Sequence, residues 1–234
     1  MCFYIVNDTL ALKLNEKIMT TKTNRASKPL PSRGQYKIYL IAFIAAVLTF
    51  GIGTYVALDG RPPGWEASFF NAVNGMGDGW YLAFTIITFF GSTWMSVLTV
   101  AATLALRAYR LAWRLAVTII SAYAITIMAK IFIDRERPAE ILAGVNAYIT
   151  EPGLGFPSGH ASGCAVIALT IWPYLPRKAR FIIVPLFIIL IGLSRIYLGV
   201  HLPLDIIGGV AIGVAVVSFL RIMPQTWRRA IRID

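Results

Sequence analysis

Six apolar stretches, at about 38–58, 81–106, 113–133, 160–175, 180–198 and 204–222, dominate this chain of 234 residues. A helix needs roughly 20 apolar residues to cross a hydrocarbon core about 30 Å thick, and each stretch meets or approaches that length. Lipid offers the backbone no hydrogen-bonding partner, so segments of this kind must be helical. Composition agrees, with 57% hydrophobic residues, 14% charged residues and a mean hydropathy of +0.69. Those values exclude a soluble globular domain. The expected fold is all-α, a polytopic membrane bundle of six transmembrane helices over residues 38–222.

A net charge of +11 raises the question of nucleic acid. The placement of the charge answers it. Of 22 Lys and Arg residues, 17 precede the first stretch, follow the last, or lie between stretches two and three and between four and five. These connections alternate, so they share one face of the membrane, and the excess of basic residues makes that face cytoplasmic. Both termini are therefore expected inside, with a flexible basic tail over 1–37 and a short basic tail over 223–234. No nucleic-acid partner is expected. Cys2 falls in the cytoplasmic tail and Cys164 inside a span, so no disulfide is expected either.

The other five basic residues are Arg61, Lys130, Arg135, Arg137 and Arg195, all on the outer side or at outer ends of spans. Basic groups placed against the topological bias point to a task. The same face receives both histidines of the chain, His160 and His201, together with Ser158, Gly159 and Asp205. Phosphoryl transfer asks mainly for positioning and for positive charge on the equatorial oxygens, and Lys130, Arg137 and Arg195 supply that charge. Ser158 and Gly159 precede a helix, whose first amides suit an anion. A neutral imidazole oriented by a carboxylate is a nucleophile, and His201 with Asp205 provides that pair. His160 would then serve as acid and base toward the leaving oxygen and water. Spacing alone leaves open which histidine attacks. Two histidines and a carboxylate also form metal sites, but the surrounding cations repel a divalent metal and attract an oxyanion, so neither metal nor cofactor is expected.

Three segments carry a family resemblance. Lys130-Ile-Phe-Ile-Asp-Arg-Glu-Arg137-Pro138 has the pattern Lys-x6-Arg-Pro, and Pro157-Ser158-Gly159-His160 follows. Ser194-Arg195-Ile-Tyr-Leu-Gly-Val-His201-Leu-Pro-Leu-Asp205 has the pattern Ser-Arg-x5-His-x3-Asp. In order and spacing they resemble the type 2 phosphatidic acid phosphatase superfamily of integral membrane lipid phosphatases. The resemblance implies a six-helix core, a phosphohistidine on His201, His160 as acid and base, no metal, and phosphate held by Lys130, Arg137, Ser158, Gly159 and Arg195. It also implies hydrolysis of a lipid phosphate or pyrophosphate at the extracytoplasmic face of the plasma membrane. Undecaprenyl pyrophosphate, phosphatidic acid and phosphatidylglycerol phosphate are all compatible, and some members transfer phosphate rather than hydrolyse it. A silent anion-binding or transport protein is the alternative from another class. Ionisable residues gathered at one edge argue against transport, which favours polar or broken helices at mid-membrane.

Overall fold

Long apolar runs without interior breaks fold into long helices here, and the Gly- and Pro-rich segments become the connections. The computed structural model describes residues 33–231. The expected tail over 1–37 lies outside the described residues as far as residue 32, as do residues 232–234. The first helix, α1, spans Arg33–Ala57, so residues 33–37 are helical rather than part of a tail. A short helix α2 (Gly64–Asn74) follows, and one 3-10 turn leads into α3 (Tyr81–Phe89) and α4 (Thr93–Ala105). Next come α5 (Tyr109–Ile133), the single turn α6 (Pro138–Ile141) and α7 (Gly159–Ile171). The chain ends in α8 (Arg177–Tyr197), α9 (Pro203–Ile222) and α10 (Gln225–Ala230). No strand occurs among the described residues.

Among the described residues four helices are long and apolar enough to cross a membrane, and a fifth span results if the bent pair around α3 and α4 counts as one. The pair bends by 45° at Phe90-Gly91-Ser92. The bend sits where the sequence places glycine. A Cβ on Gly91 would stand 2.7 Å from Ile191 Cγ2, so glycine lets the bend pack closely on α8, with the His160 ring in ordinary contact at 3.5 Å. Ser92 then restarts the helix by accepting a hydrogen bond from the Met95 amide at 3.2 Å.

The expected span at 160–175 is the one that falls short. α7 has 13 residues and is extended only by the 3-10 turn Trp172–Tyr174, giving about 25 Å at the usual rises. With α9 it is the most buried of the long helices. Ala161, Ser162, Gly163, Cys164, Ala165, Val166, Ile167, Ala168 and Thr170 are all buried, so α7 is the centre around which α4, α5, α8 and α9 pack. α1, α5 and α8 instead expose Ile41, Leu48, Ile120, Phe181 and Ile182, as lipid-facing helices do.

Without a strong hydrophobic force between helices in lipid, close packing of small residues holds them together. α9 meets α7 through Gly209 and Gly213, where a Cβ would fall 2.3 Å from the Ser158 carbonyl oxygen and 2.5 Å from Ala165 Cβ respectively. Below this contact Leu115, Ile119 and Ala122 of α5 join Val166 and Ile167 of α7 and Ile212, Val216 and Val217 of α9 in the main apolar cluster. Gly213→Val should therefore separate α7 from α9 and cost about 1 to 3 kcal/mol, the usual range for overpacking. A thermal melt in detergent checks this, and an unchanged midpoint would contradict the close packing.

Candidate active site

The alternating direction of the helices brings four ends to one edge of the bundle, the C-terminal ends of α5 and α8 and the N-terminal ends of α7 and α9. α5 stops because Asp134 takes a left-handed conformation (φ 53°), and its amide closes on the Lys130 carbonyl at 3.0 Å. This turn leaves Lys130 on the last turn of the helix and sends Arg135 and Arg137 into the loop. Pro138 holds the chain extended at Arg137 (ψ 161°). Lys130 Nζ donates to the carbonyls of Leu154 and Gly155. Arg137 donates to Gly153 at 2.8 Å, Pro152 at 3.3 Å and Val200 at 2.9 Å. The carbonyls of residues 152–155 thus hold two cations at the rim.

α7 begins at Gly159 behind Ser158, whose hydroxyl accepts from the Ala161 amide at 3.5 Å and whose own amide donates to the Asp205 carbonyl at 2.9 Å. His160 occupies the first turn of α7 and is half-buried. Arg195, 1% exposed, comes from the last turn of α8 and donates to Thr88 Oγ1 at 3.0 Å, while its Nε has no hydrogen-bond partner among the described residues.

His201 lies between α8 and α9 and is 2% exposed. Pro203 opens α9, as the sequence implies, and Asp205 reaches back from its first turn. Asp205 Oδ2 accepts from the Leu202 amide at 2.9 Å and stands 3.2 Å from His201 Nδ1. An ionised carboxylate only accepts, so Nδ1 carries the proton and Nε2 keeps its lone pair. Burial first, then the charges of Arg195, Lys130 and Arg137, hold His201 well below the ordinary histidine pKa of 6.5. The imidazole is therefore neutral at neutral pH.

Three residues here were not assigned a role in the site from the sequence. Glu151, in the loop before α7, places its carboxylate 2.5 Å from Arg195 and 3.4 Å from Arg137, within electrostatic reach of both histidines. Arg135 and Glu66 are fully buried and paired at 2.6 Å behind Asp205. An acid in a loop among other polar residues gives no periodic signal, and Glu66 is separated from the motif segments by more than sixty residues. The buried edge of α2, with Glu66, Phe70 and Asn74 spaced four apart, is the one pattern that could have pointed to it.

Residues 111–229 match the family model of the PAP2 superfamily. The chain belongs to the PAP2 superfamily. Phosphatidylglycerophosphatase B of Bacillus subtilis is 36% identical over 93 residues, which cover 36% of this chain and 43% of that protein. Decaprenylphosphoryl-5-phosphoribose phosphatase of Mycobacterium tuberculosis is 37% identical over 95 residues, covering 41% of this chain and 51% of that protein. The chain thus spans about half the length of the curated relatives it matches. The crystal structure of Aquifex aeolicus LpxE superposes with a TM-score of 0.61 at 26% identity, over 68% of this chain and 97% of that one. The first transmembrane PAP2-type phosphatidylglycerolphosphate phosphatase structure from Bacillus subtilis gives 0.59 at 23% identity, over 80% and 96%, and shares the fold. The three motif segments of this PAP2 chain all lie within the matched region.

Burial alone would raise the pKa of Glu151, but the Arg195 ion pair outweighs it and holds the carboxyl at about 2, below its ordinary 4.5. A depressed carboxyl stabilises the fold above its unfolded pKa and loses that contribution as pH falls through the folded value. The stability difference between wild type and Glu151→Gln should accordingly stay constant above pH 4.5 and shrink between 4.5 and about 2. Melting curves across that range check it, and a difference that widened on acidification would overturn the assignment.

Proposed function

We propose that this PAP2 chain is an integral membrane phosphatase that hydrolyses a lipid phosphate monoester or pyrophosphate through a phosphohistidine on His201, without a metal. One observation carries the reading: a buried, neutral imidazole, oriented by Asp205, lies among Lys130 and Arg137 of one segment and Arg195 at the end of α8. Guanidinium and ammonium groups at that density favour an oxyanion and disfavour a divalent cation. Arg195 Nε, buried and without a partner, is a donor available to such an oxyanion. The phosphatases among the relatives support the enzyme class.

In this mechanism His201 Nε2 attacks phosphorus while the bond from phosphorus to the lipid oxygen breaks, and His160, which takes up a proton once the negative charge of the bound phosphate lies beside it, gives that proton to the leaving oxygen. Asp205 Oδ2 keeps the Nδ1 proton and stabilises the positive charge on the ring. A water then attacks the phosphohistidine, passes a proton to His160, and inorganic phosphate leaves as the P–N bond breaks. Lys130, Arg137 and Arg195 hold the equatorial oxygens, aided by the Ser158 and Gly159 turn at the start of α7. The Glu151 carboxylate has to yield the guanidinium groups of Arg195 and Arg137 to the incoming phosphate.

The charge pattern of the connections supports a six-span arrangement in the plasma membrane, with α7 and its 3-10 extension as the short, protein-enclosed span and both termini cytoplasmic. The site then faces the extracytoplasmic side, where undecaprenyl pyrophosphate, phosphatidic acid or phosphatidylglycerol phosphate would present its headgroup.

Purified wild type should release phosphate from short-chain phosphatidic acid or a polyprenyl pyrophosphate in detergent with chelator present. His201→Ala should lose that activity by at least about a thousandfold, the scale seen when a nucleophile is removed. Vanadate, a mimic of the five-coordinate transition state, should inhibit. Activity should also persist below pH 6.5 and fall only as His201 protonates. Loss of activity with chelator alone would overturn the metal-free mechanism, and equal release by His201→Ala would overturn the assigned nucleophile.

A further inference from the structure

Behind the His201–Asp205 pair lies a second layer of charge that neither the family motif nor the mechanism above uses. Arg135, one of the unspecified positions in Lys-x6-Arg-Pro, turns inward from the loop after α5 while Arg137 turns to the rim. Its Nη1 donates to Asp205 Oδ1 at 3.0 Å and to Glu66 Oε1 at 3.3 Å, and its Nη2 donates to Glu66 Oε2 at 2.6 Å. The side chains of all three residues are fully buried. Glu66 comes from α2, the short helix before the bent span, and its Oε1 also accepts from the Leu204 amide at 2.8 Å.

We infer that Glu66 and Arg135 are positioning residues that set the orientation and charge of Asp205 and, through it, the nucleophilicity of His201. The inference rests on the phosphatase reading above. The two oxygens of Asp205 have separate duties: Oδ1 is held by Arg135, which leaves Oδ2 for the Leu202 amide and His201 Nδ1. Rotation of the carboxylate would break all three contacts at once, so the guanidinium fixes the plane in which the imidazole is received. Glu66 is needed for a second reason. Arg135 alone would neutralise Asp205 just where the imidazole, already depressed by Lys130, Arg137 and Arg195, needs a net negative partner. With Glu66 the three groups together carry one negative charge. They form a buried, hydrogen-bonded set in which each ion has a partner, the arrangement in which buried charge is tolerated. Because Glu66 also binds the first turn of α9, α2 becomes part of the catalytic framework.

A double-mutant cycle separates this role from plain folding. Phosphate release from short-chain phosphatidic acid and a polyprenyl pyrophosphate is measured for wild type, Glu66→Gln, Asp205→Asn and the double variant. Glu66→Gln should lower kcat about tenfold with KM within about twofold, because it acts on chemistry and not on phosphate binding. In the Asp205→Asn background the same substitution should change kcat less than about twofold. A loss in the double variant equal to the product of the two single losses would overturn the inference. Arg135→Lys, which keeps the charge but not the forked contacts to two carboxylates, provides a second cycle with the same expectation. Failure of both Glu66→Gln and Arg135→Lys to fold would assign the pair to folding alone and overturn the inference as well. Wild type without activity, or Asp205→Asn as active as wild type, would instead defeat the phosphatase reading itself.

Discussion

Positive charge gathered at one edge of an apolar bundle has to be balanced before anything else can pack. Lys130, Arg135, Arg137 and Arg195 meet there, against the carboxylates of Glu66, Glu151 and Asp205. Four cations against three carboxylates leave one positive charge, and His201 is kept neutral by its burial and, after that, by the same cations. Carbonyl oxygens absorb part of the remainder: those of Pro152 to Gly155 and of Val200 accept from Lys130 and Arg137. Removing a carboxylate from such a set leaves a buried cation without its partner, which costs far more than the pair contributes. The loop before α7 is therefore shaped as much by charge balance as by its glycines and prolines.

That loop is also tied down from outside. Asn74 of α2 donates to the carbonyls of Asn146 and Tyr197 and accepts from the Asn146 amide. Tyr148 stacks on Tyr197 with ring centroids 4.8 Å apart, Phe84 packs on the other side of Tyr197 at 4.6 Å, and the Tyr197 hydroxyl donates to the Gly77 carbonyl. These contacts join α2, α3 and α8 to the segment that carries Glu151. A site meant to bind an anion selectively needs its donors held in place before the anion arrives, and this shell of aromatic and amide contacts provides that restraint. α2, which the aromatic residues Trp65 and Phe69 would mark as an interfacial anchor, exposes those two and buries Glu66, Phe70 and Asn74. One edge is exposed and the other supports the site.

Much of the site was legible because its residue types are rare in an apolar chain. Two histidines, three basic residues at or beside helix ends and a Pro-Ser-Gly-His turn stand out against 57% hydrophobic composition, and the spacing within each segment specifies which helix end carries them. The pairing of His201 with Asp205 followed from Pro203, which sets where α9 begins. Glu66, Glu151 and the inward turn of Arg135 were not legible, since each depends on a partner from a remote segment. The enclosure of α7 was not legible either, because an apolar run enclosed by protein and one facing lipid look alike in hydropathy.

The sequence by itself determined that the chain is a helical membrane protein and which ionisable groups gather at one edge of the bundle. Local rules suffice for these, since hydropathy, charge placement and the proline and glycine positions act within a single segment. Only the tertiary structure decided how the charges are paired, that α7 is the enclosed centre and not a lipid-facing span, and that α2 reaches Asp205 through Arg135. Those outcomes depend on distances between segments far apart in the chain, and burial turns such distances into strong constraints because an unpaired charge cannot remain there.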